Sequence, residues 1–336
     1  MVSIGIVWFN QTNREDVLTV SVNAIAPKKA KKPLGPRIKN EITQHGALYI
    51  MLLLPLAILL LFKYAPMYGV QIAFRNFRIT RAIEDCDWVG LKYVIRFLEN
   101  DQFWQILRNT LVINLYSLAT FPISLIFALF LNYMPFKGYK KTVQMISYAP
   151  HFISTVVMCS LILQFTSARG GLLNEVLKVF GFEPVNFMAY PEYFPAVYVW
   201  SGVWQEMGYG AIIYIAALSG VSSELHEAAI VDGANIVKRI WHVDVPTILP
   251  TFCILLIMRC GSLLNIGFEK VLLLQNNVNT SVAEVISTFV YRQGIAASRP
   301  QYSYAAAIGL FQSVFNMIML LTVNKITGKL SGNSMF

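Results

Sequence analysis

Six long apolar runs, separated by polar connections, organise the chain at residues 47–66, 110–132, 142–165, 194–218, 246–266 and 304–323. Within each run the apolar positions are continuous rather than alternating, which predicts helix and argues against half-buried strands. A helix rises about 1.5 Å per residue, so about 20 apolar residues cross a hydrocarbon layer of about 30 Å. Lipid offers the backbone no hydrogen bonds, so a spanning segment is a helix or part of a closed barrel. The pattern predicts an all-α integral membrane protein with six transmembrane helices.

The connections are unequal. Those at 69–103, 166–193 and 267–301 are long and polar, whereas 133–141 is short. In the first, 101–108 reads as an interfacial helix with Phe103, Trp104 and Leu107 toward lipid. In the second, Gly170-Gly171 interrupts the chain before a helical pattern at Leu172, Leu173, Val176, Leu177 and Phe180. In the third, 282–291 reads as a short helix. The domain reading is a basic N-terminal arm at 1–45, a six-span body at 46–325 and a tail at 326–336. The stretch at 1–9 is too short to span and lacks the flanks of a signal peptide; the run 27–33 reads as a disordered basic segment.

Composition sharpens this picture. At 56% hydrophobic and 13% charged, the chain has too little polar surface for a soluble domain. The net charge of +9 is read as the cytoplasmic bias of basic residues rather than a nucleic-acid surface. Arg14, Lys28, Lys29, Lys31, Lys32, Arg37 and Lys39 precede the first span. Lys137, Lys140 and Lys141 fill the short connection, and Lys325 and Lys329 follow the last span. Both termini are therefore expected in the cytoplasm. The 69–103 segment runs against the rule with Arg75, Arg78, Arg81, Lys92 and Arg96, offset by five acids. The four cysteines and four histidines are scattered, so no metal site is expected, and the cysteines read as small packing residues.

A charged island at 220–246 lies between the fourth and fifth runs and reads as a helix–turn–helix. Ser222 and Ser223 can cap the first helix. Glu224 and Glu227 then sit where the helix dipole favours negative charge. Gly233 suits the left-handed conformation that ends a helix. Ile236, Val237, Ile240 and Trp241 form an apolar stripe on the second helix, and Pro246 is expected to open the next span. Helices this short are marginal in water unless something packs on them. The island is either a docking element for a cytoplasmic partner or a re-entrant connection packed on its own bundle.

Glu227-Ala228-Ala229, three residues, Gly233, nine residues and Val243-Asp244-Val245-Pro246 resemble the EAA motif of ABC importer permeases, with Val at its Ile and Leu positions. Phe62 to Gly69, Trp88-Val89-Gly90-Leu91, Ile146 to Ile153, Gly267-Phe268-Glu269 and Tyr302 to Leu310 look like the oligosaccharide and polysaccharide subgroup, related to the maltose permeases. The similarity covers about residues 37 to 330. It implies a bacterial plasma-membrane subunit with a cytoplasmic helix–turn–helix coupling loop at Glu227, Ala228, Ala229, Asp232, Gly233 and Pro246. It also implies a second homologous permease, two cytoplasmic ATPase subunits carrying ATP and Mg, and an extracellular or periplasmic binding protein that delivers a sugar. The chain itself has no Gly-x-x-x-x-Gly-Lys-Ser/Thr loop, so neither catalysis nor a bound cofactor is expected of it.

Charges within the spans are costly and mark either a pathway or a structural pair. Glu206 and Arg259 are the two, and Arg259 can also snorkel to the interface. Trp200, Trp204, Met207, Ala211 and Tyr214 share one helical face, which is bundle packing or a stacking surface for sugar rings. Asn109, Asn114, Tyr116 and Asn265 add polar capacity, while Gly202, Gly208 and Gly210 permit close helix approach. The candidate pathway set is Trp200, Trp204, Glu206, Tyr214, Arg259 and Asn265. An ion-coupled carrier is the alternative, with Glu206 as its midplane carboxylate. A membrane enzyme is weakened by the lack of clustered His, Asp or Cys.

Overall fold

The computed structural model describes residues 34–331, with side chains from 45 to 329. It divides into two units, 1–65 and 66–336. In the first unit, α1 (Leu34–Leu59) leads into one wide helical turn, Leu60–Tyr64. The arm read as reaching residue 45 is thus helical from Leu34 on. Its basic run at 28–32 and the stretch at 1–9 lie outside the described residues.

The second unit is helical, and among the described residues its extended pairing is a single bridge between Arg75 and Trp88. After the tight turns Ala65–Phe74 come α2 (Lys92–Leu98), α3 (Phe103–Ala119), α4 (Ile123–Asn132), α5 (Lys137–Tyr148), α6 (Thr155–Phe165) and α7 (Leu172–Val179). Then follow α8 (Phe194–Leu218), α9 (Ser223–Val231), α10 (Ile236–Arg239), α11 (Val245–Cys260), α12 (Phe268–Leu274), α13 (Thr280–Ala283), α14 (Ile286–Gly294) and α15 (Tyr302–Ser331). Among the described residues four helical stretches are long and apolar enough to cross a membrane: His45–Phe74, Phe103–Asn132, Ile236–Cys260 and Tyr302–Lys329. A fifth is the pair Lys137–Phe152 and Thr155–Phe165, bent by 103°. The run read as one span at 142–165 is therefore broken, because Ile153 and Ser154 adopt extended backbone and Ser154 caps α6 by accepting from the Val157 N–H. Helix α8 is long enough at 25 residues but carries Gln205, Glu206 and several Tyr, Trp and Gly residues, which lower its apolarity.

That polarity is explained by position. Helix α8 packs against α3, α4, α5 and α11, where Gln205 donates to the Ile153 carbonyl, while Glu206, Trp200 and Trp204 keep exposed surface. A Cβ on Gly208 would lie 2.2 Å from the Ser147 carbonyl oxygen of α5, and one on Gly210 would lie 2.9 Å from the Ser124 hydroxyl of α4. Both glycines allow the close approach expected of small residues. Gly202 instead faces the Lys270 ammonium at 3.4 Å.

Several boundaries differ from the sequence reading. The 101–108 stretch is not a separate interfacial helix: α3 starts at Phe103 and continues into the span, with Phe103 and Ile106 buried. The 282–291 helix starts at Ile286, because Glu284 and Val285 are extended and the Thr288 hydroxyl holds the Val285 N–H. The tail read from 326 is helical to Ser331. Pro246 stands in the first turn of α11, where a proline costs little, but the winding does not begin there. Helical winding runs from Ile236 to Cys260, and a wide turn at Ile240–Asp244 precedes the proline. In that turn the Val245 N–H reaches back five residues to the Ile240 carbonyl. Such a bulge relieves the clash a proline makes with the preceding turn. Leu60–Tyr64 is wound in the same way two residues before Pro66.

The close approach of α8 and α5 yields a test. Gly208→Ala drives a methyl into backbone and is expected to destabilise by about 1–3 kcal/mol, read as a lower unfolding temperature in detergent. Gly309→Ala in α15 meets open space and is expected to be neutral or slightly stabilising.

Candidate functional site

Two regions concentrate polar chemistry: the elbow α9–α10 and a cavity among α3, α4, α8, α11 and α12. In the elbow the Ser222 hydroxyl accepts from the Glu224 N–H at 3.2 Å, and Asn235 caps α10 by accepting from the Lys238 N–H at 2.9 Å. Each cap contributes about 1 kcal/mol. Helix α9 ends on Gly233 at φ +74°. The Ala234 N–H bonds the Ala229 carbonyl and the Gly233 N–H bonds the Ile230 carbonyl, the paired closure that a left-handed glycine permits. Ala228 and Ala229 thus stand in the last turn, while Asp232 is the half-in residue at its end.

None of the residues of α9 is buried. Leu225, Ile230, Ile236, Val237 and Trp241 are exposed, and Val231 is 87% exposed. Glu227 is exposed beside them. The elbow thus carries an apolar face that this chain leaves open.

The root of the elbow is anchored by a group that sequence reading passed over. Asp244 is 0% exposed. Its Oδ2 accepts from the Tyr133 hydroxyl at 2.6 Å. His226 Nε2 of α9 lies 3.3 Å from its Oδ1, close enough for an ion contact but not aligned as a hydrogen bond. Arg239 of α10 stacks over the Tyr133 ring at 5.5 Å. Burial, then the Asp244 carboxylate, push the Tyr133 phenol up to about 12, so at neutral pH it remains a donor. Three parts of the elbow are tied in this way to the residue that ends α4.

The cavity has a volume of about 430 Å³. Its wall includes Asn114, Ser117, Thr120 and Ser124 from α3, α4 and their junction, Tyr198, Gln205 and Glu206 from α8, and Arg259, Asn265 and Lys270. Of the candidate pathway residues, Glu206, Arg259 and Asn265 line it. Trp200, Trp204 and Tyr214 do not. Trp200 and Trp204 are half-exposed, and the Trp200 indole donates to the Tyr116 hydroxyl at 2.7 Å. Tyr214 is buried with Ala128, Ala211 and Ile248. The helical stripe is thus divided along its length, with Met207 at the cavity between an exposed half and a packed half.

Asn265 sits in the unwound stretch between α11 and α12. Its Oδ1 accepts from Gln312 at 2.7 Å and Asn316 at 3.2 Å, both on α15. Gln312 also donates to the Leu264 carbonyl at 2.6 Å, and Asn316 accepts from the Leu264 N–H at 2.9 Å. Glu206 Oε2 lies 3.0 Å from His151 Nδ1, and the imidazole stacks flat on Tyr209 at 3.7 Å. Lys270 is 9% exposed; its ammonium donates to the Tyr198 carbonyl at 2.9 Å and lies 4.7 Å from that residue's ring centre. Sequence reading missed Lys270 because it falls in the long polar connection at 267–301 rather than in an apolar run. A lone cation preceding Val271-Leu272-Leu273-Leu274 was the available signal.

A bundle of broken apolar helices around a polar cavity, with an amphipathic elbow between two of them, defines a membrane transport subunit. Residues 104–331 match the family described as binding-protein-dependent transport system inner membrane component. The chain belongs to that family and is a multi-pass permease subunit of an ABC importer, not an enzyme. It is 38% identical over 310 residues to the polygalacturonan/rhamnogalacturonan transport system permease protein YteP of Bacillus subtilis (strain 168), covering 92% of this chain and 95% of that one. It is 39% identical over 316 residues to Protein LplB of the same organism, covering 92% and 99%. Its fold matches a chain of a bacterial ABC transporter involved in the import of the acidic polysaccharide alginate, with TM-score 0.79, 35% identity and 88% and 99% of the two chains covered.

The Asp244 anchor gives a direct test. Tyr133→Phe removes a hydrogen bond to a buried carboxylate and is expected to cost about 1.5–3 kcal/mol, seen as a lower unfolding temperature. Tyr139→Phe, at an exposed position, is expected to leave that temperature unchanged.

Proposed function

We propose that this chain forms one half of the translocation path for an oligosaccharide or polysaccharide fragment, delivered by an extracellular or periplasmic binding protein and driven by separate ATPase subunits. The observation that carries the reading is the polar cavity, whose hydroxyl, amide and charged groups converge between helices that otherwise pack apolar side chains. Sugars present hydroxyls on every edge, and such groups need partners once water is removed. The relatives' names agree: one permease is named for polygalacturonan and rhamnogalacturonan, and one solved transporter is described in complex with an alginate pentasaccharide-bound periplasmic protein.

In this reading the elbow faces the cytoplasm, both termini lie on that side, and the six spans are the four long stretches, the bent pair and α8. Each of two ATPase subunits, holding ATP and Mg, covers the open face of one elbow. A second, homologous permease supplies the other elbow and the other wall of the path. ATP drives transport only by favouring one arrangement of the pair over the other. Glu227, Ala228, Ala229, Asp232 and Gly233 form the coupling surface, and Pro246 with its wide turn begins the span that carries the motion upward. An ion-coupled carrier gains nothing from the geometry, since the Glu206 carboxylate is engaged by His151.

Proline fixes φ near −65°, so Gly233→Pro abolishes the +74° turn, and Glu227→Lys reverses a charge on the exposed face. Both variants are expected to insert in the membrane yet lose ATP-dependent oligosaccharide uptake by about tenfold or more, the size of a typical coupling free energy. Uptake in proteoliposomes of the full importer measures it. Undiminished uptake by both, or labelling of the elbow from the cell exterior, removes the coupling role.

A further inference from the structure

The charges around the cavity do not balance within the chain. Three ionised side chains line it: Glu206, Arg259 and Lys270. The Glu206 carboxylate already has His151 at 3.0 Å. The guanidinium of Arg259, exposed near the end of α11, has no hydrogen bond or ion pair among the described residues. Lys270 is buried, yet its acceptor is a neutral carbonyl. An ammonium carries three donors, and one is engaged among the described residues. Gly202 leaves the space beside that ammonium open, since a Cβ there would stand 3.4 Å from it. Two cations and one carboxylate thus border one polar hollow, which leaves its wall with one positive charge in excess.

We infer that the cavity selects a carboxylated sugar, a uronic-acid unit whose carboxylate is received by Arg259 and Lys270. The inference rests on the sugar-path reading and narrows it to one chemical class. Burying a cation such as Lys270 on a neutral acceptor is unfavourable, and a ligand carboxylate corrects this while forming charge-assisted hydrogen bonds with it and with the exposed Arg259, which are stronger than neutral ones. A neutral sugar offers hydroxyls alone and leaves the imbalance in place. A cleft whose wall carries an excess of one sign of charge also concentrates ligands of the other sign. Glu206, held on the same wall, opposes the two cations and keeps the site from becoming a trap, as conduction needs binding that also releases.

Lys270 stands on α12, beyond the end of the α11 span. Burial lowers its ammonium to about 8. The groups facing it are Cys159 from α6, which with Glu206 of α8 acts against that lowering, and Tyr198 of α8. From α14, Tyr291 packs on Phe268 instead. The cation is therefore present below about pH 8 and is lost as pH rises through that value.

The test uses the complete importer in proteoliposomes, with its binding protein, both permeases and the ATPases. Two uronate oligosaccharides, oligogalacturonate and oligoalginate, are each compared with the same chain after reduction of its carboxyls to alcohols. Binding of each sugar to the isolated binding protein is measured separately, so that uptake is expressed per loaded binding protein. The expected result is acidic-over-reduced uptake of about tenfold or more for at least one pair, a ratio that Arg259→Gln and Lys270→Met each bring toward one by slowing the acidic sugar. Acidic uptake in the wild type is expected to fall as pH rises through about 8, and Lys270→Arg is expected to abolish that fall. Arg259 is exposed, so its variant keeps the test open where Lys270→Met fails to fold. Equal uptake of acidic and reduced sugars by the wild type, or an unchanged ratio in the folded variants, overturns the uronate inference while leaving the sugar path standing. Absence of uptake for every oligosaccharide, with ATP hydrolysis intact, overturns the path reading and the inference together.

Discussion

The structure depends on one constraint: where the chain unwinds among apolar helices, its backbone polar groups need partners that lipid does not supply. Each break recruits side chains for this purpose. At Ile153, the carbonyl accepts from Gln205. At Leu264, the carbonyl accepts from Gln312 and the N–H donates to Asn316. Before α14, the Ile286 N–H donates to Thr110, and the Glu284 carbonyl accepts from Asn109. At Thr120, the hydroxyl donates to the Ser117 carbonyl.

These breaks are also where the cavity lies. Ser117, Thr120, Phe121 and Ile123 come from the α3–α4 junction, Gln205 supports the α5–α6 break, and Asn265, Ile266 and Gly267 come from the unwound stretch before α12. Straight helices would pack through this volume and close it. A residue such as Asn265 therefore has two roles: its carbonyl holds two α15 amides, and the residue still borders the hollow. Helix α8 makes the arrangement compact, since Gly208 and Gly210 let α5 and α4 approach closely.

The legible parts were those set by local rules. Continuous apolar runs located four long apolar helices and the bent pair, the 227–233 spacing located the elbow, and Ser222 and Gly233 bounded α9 as their conformational preferences require. The remainder depended on contacts distant in sequence. The 103° bend at 153–154 occurs inside an unbroken apolar run and is supported by Gln205, 52 residues further on. Asp244 is an unremarkable acid in the sequence, and its burial follows from Tyr133, 111 residues earlier. Helical periodicity placed Trp200, Trp204 and Tyr214 on one face correctly, but periodicity does not say which neighbour covers each part of it. Lys270 was passed over for the converse reason: it falls in a long polar connection, whereas Tyr198 and α6 enclose it. All four cysteines are buried, including Cys86 outside the spans, in keeping with packing.

Continuous winding from Ile236 to Cys260 bears most directly on how the two regions communicate. A helix of 25 residues is about 38 Å long at about 1.5 Å per residue, and it carries the Ile236–Val237 face at one end and Arg259 at the other. Helices bend chiefly at prolines and bulges, and in α11 both lie at the elbow end, at Ile240–Asp244 and Pro246. Pro250 lies one turn further. Asp244 closes that soft region by tying it to Tyr133 and His226. In the coupling role proposed for the elbow, its displacement is shared between α4, through Tyr133, and α11, through Asp244 itself. Those are two of the helices whose opposite ends meet the cavity. An elbow without this anchor would flex at the bulge and dissipate the displacement. With the anchor in place, the proposed coupling turns movement at the elbow into a change in the position of Arg259 relative to α8, where the polar wall of the cavity is built.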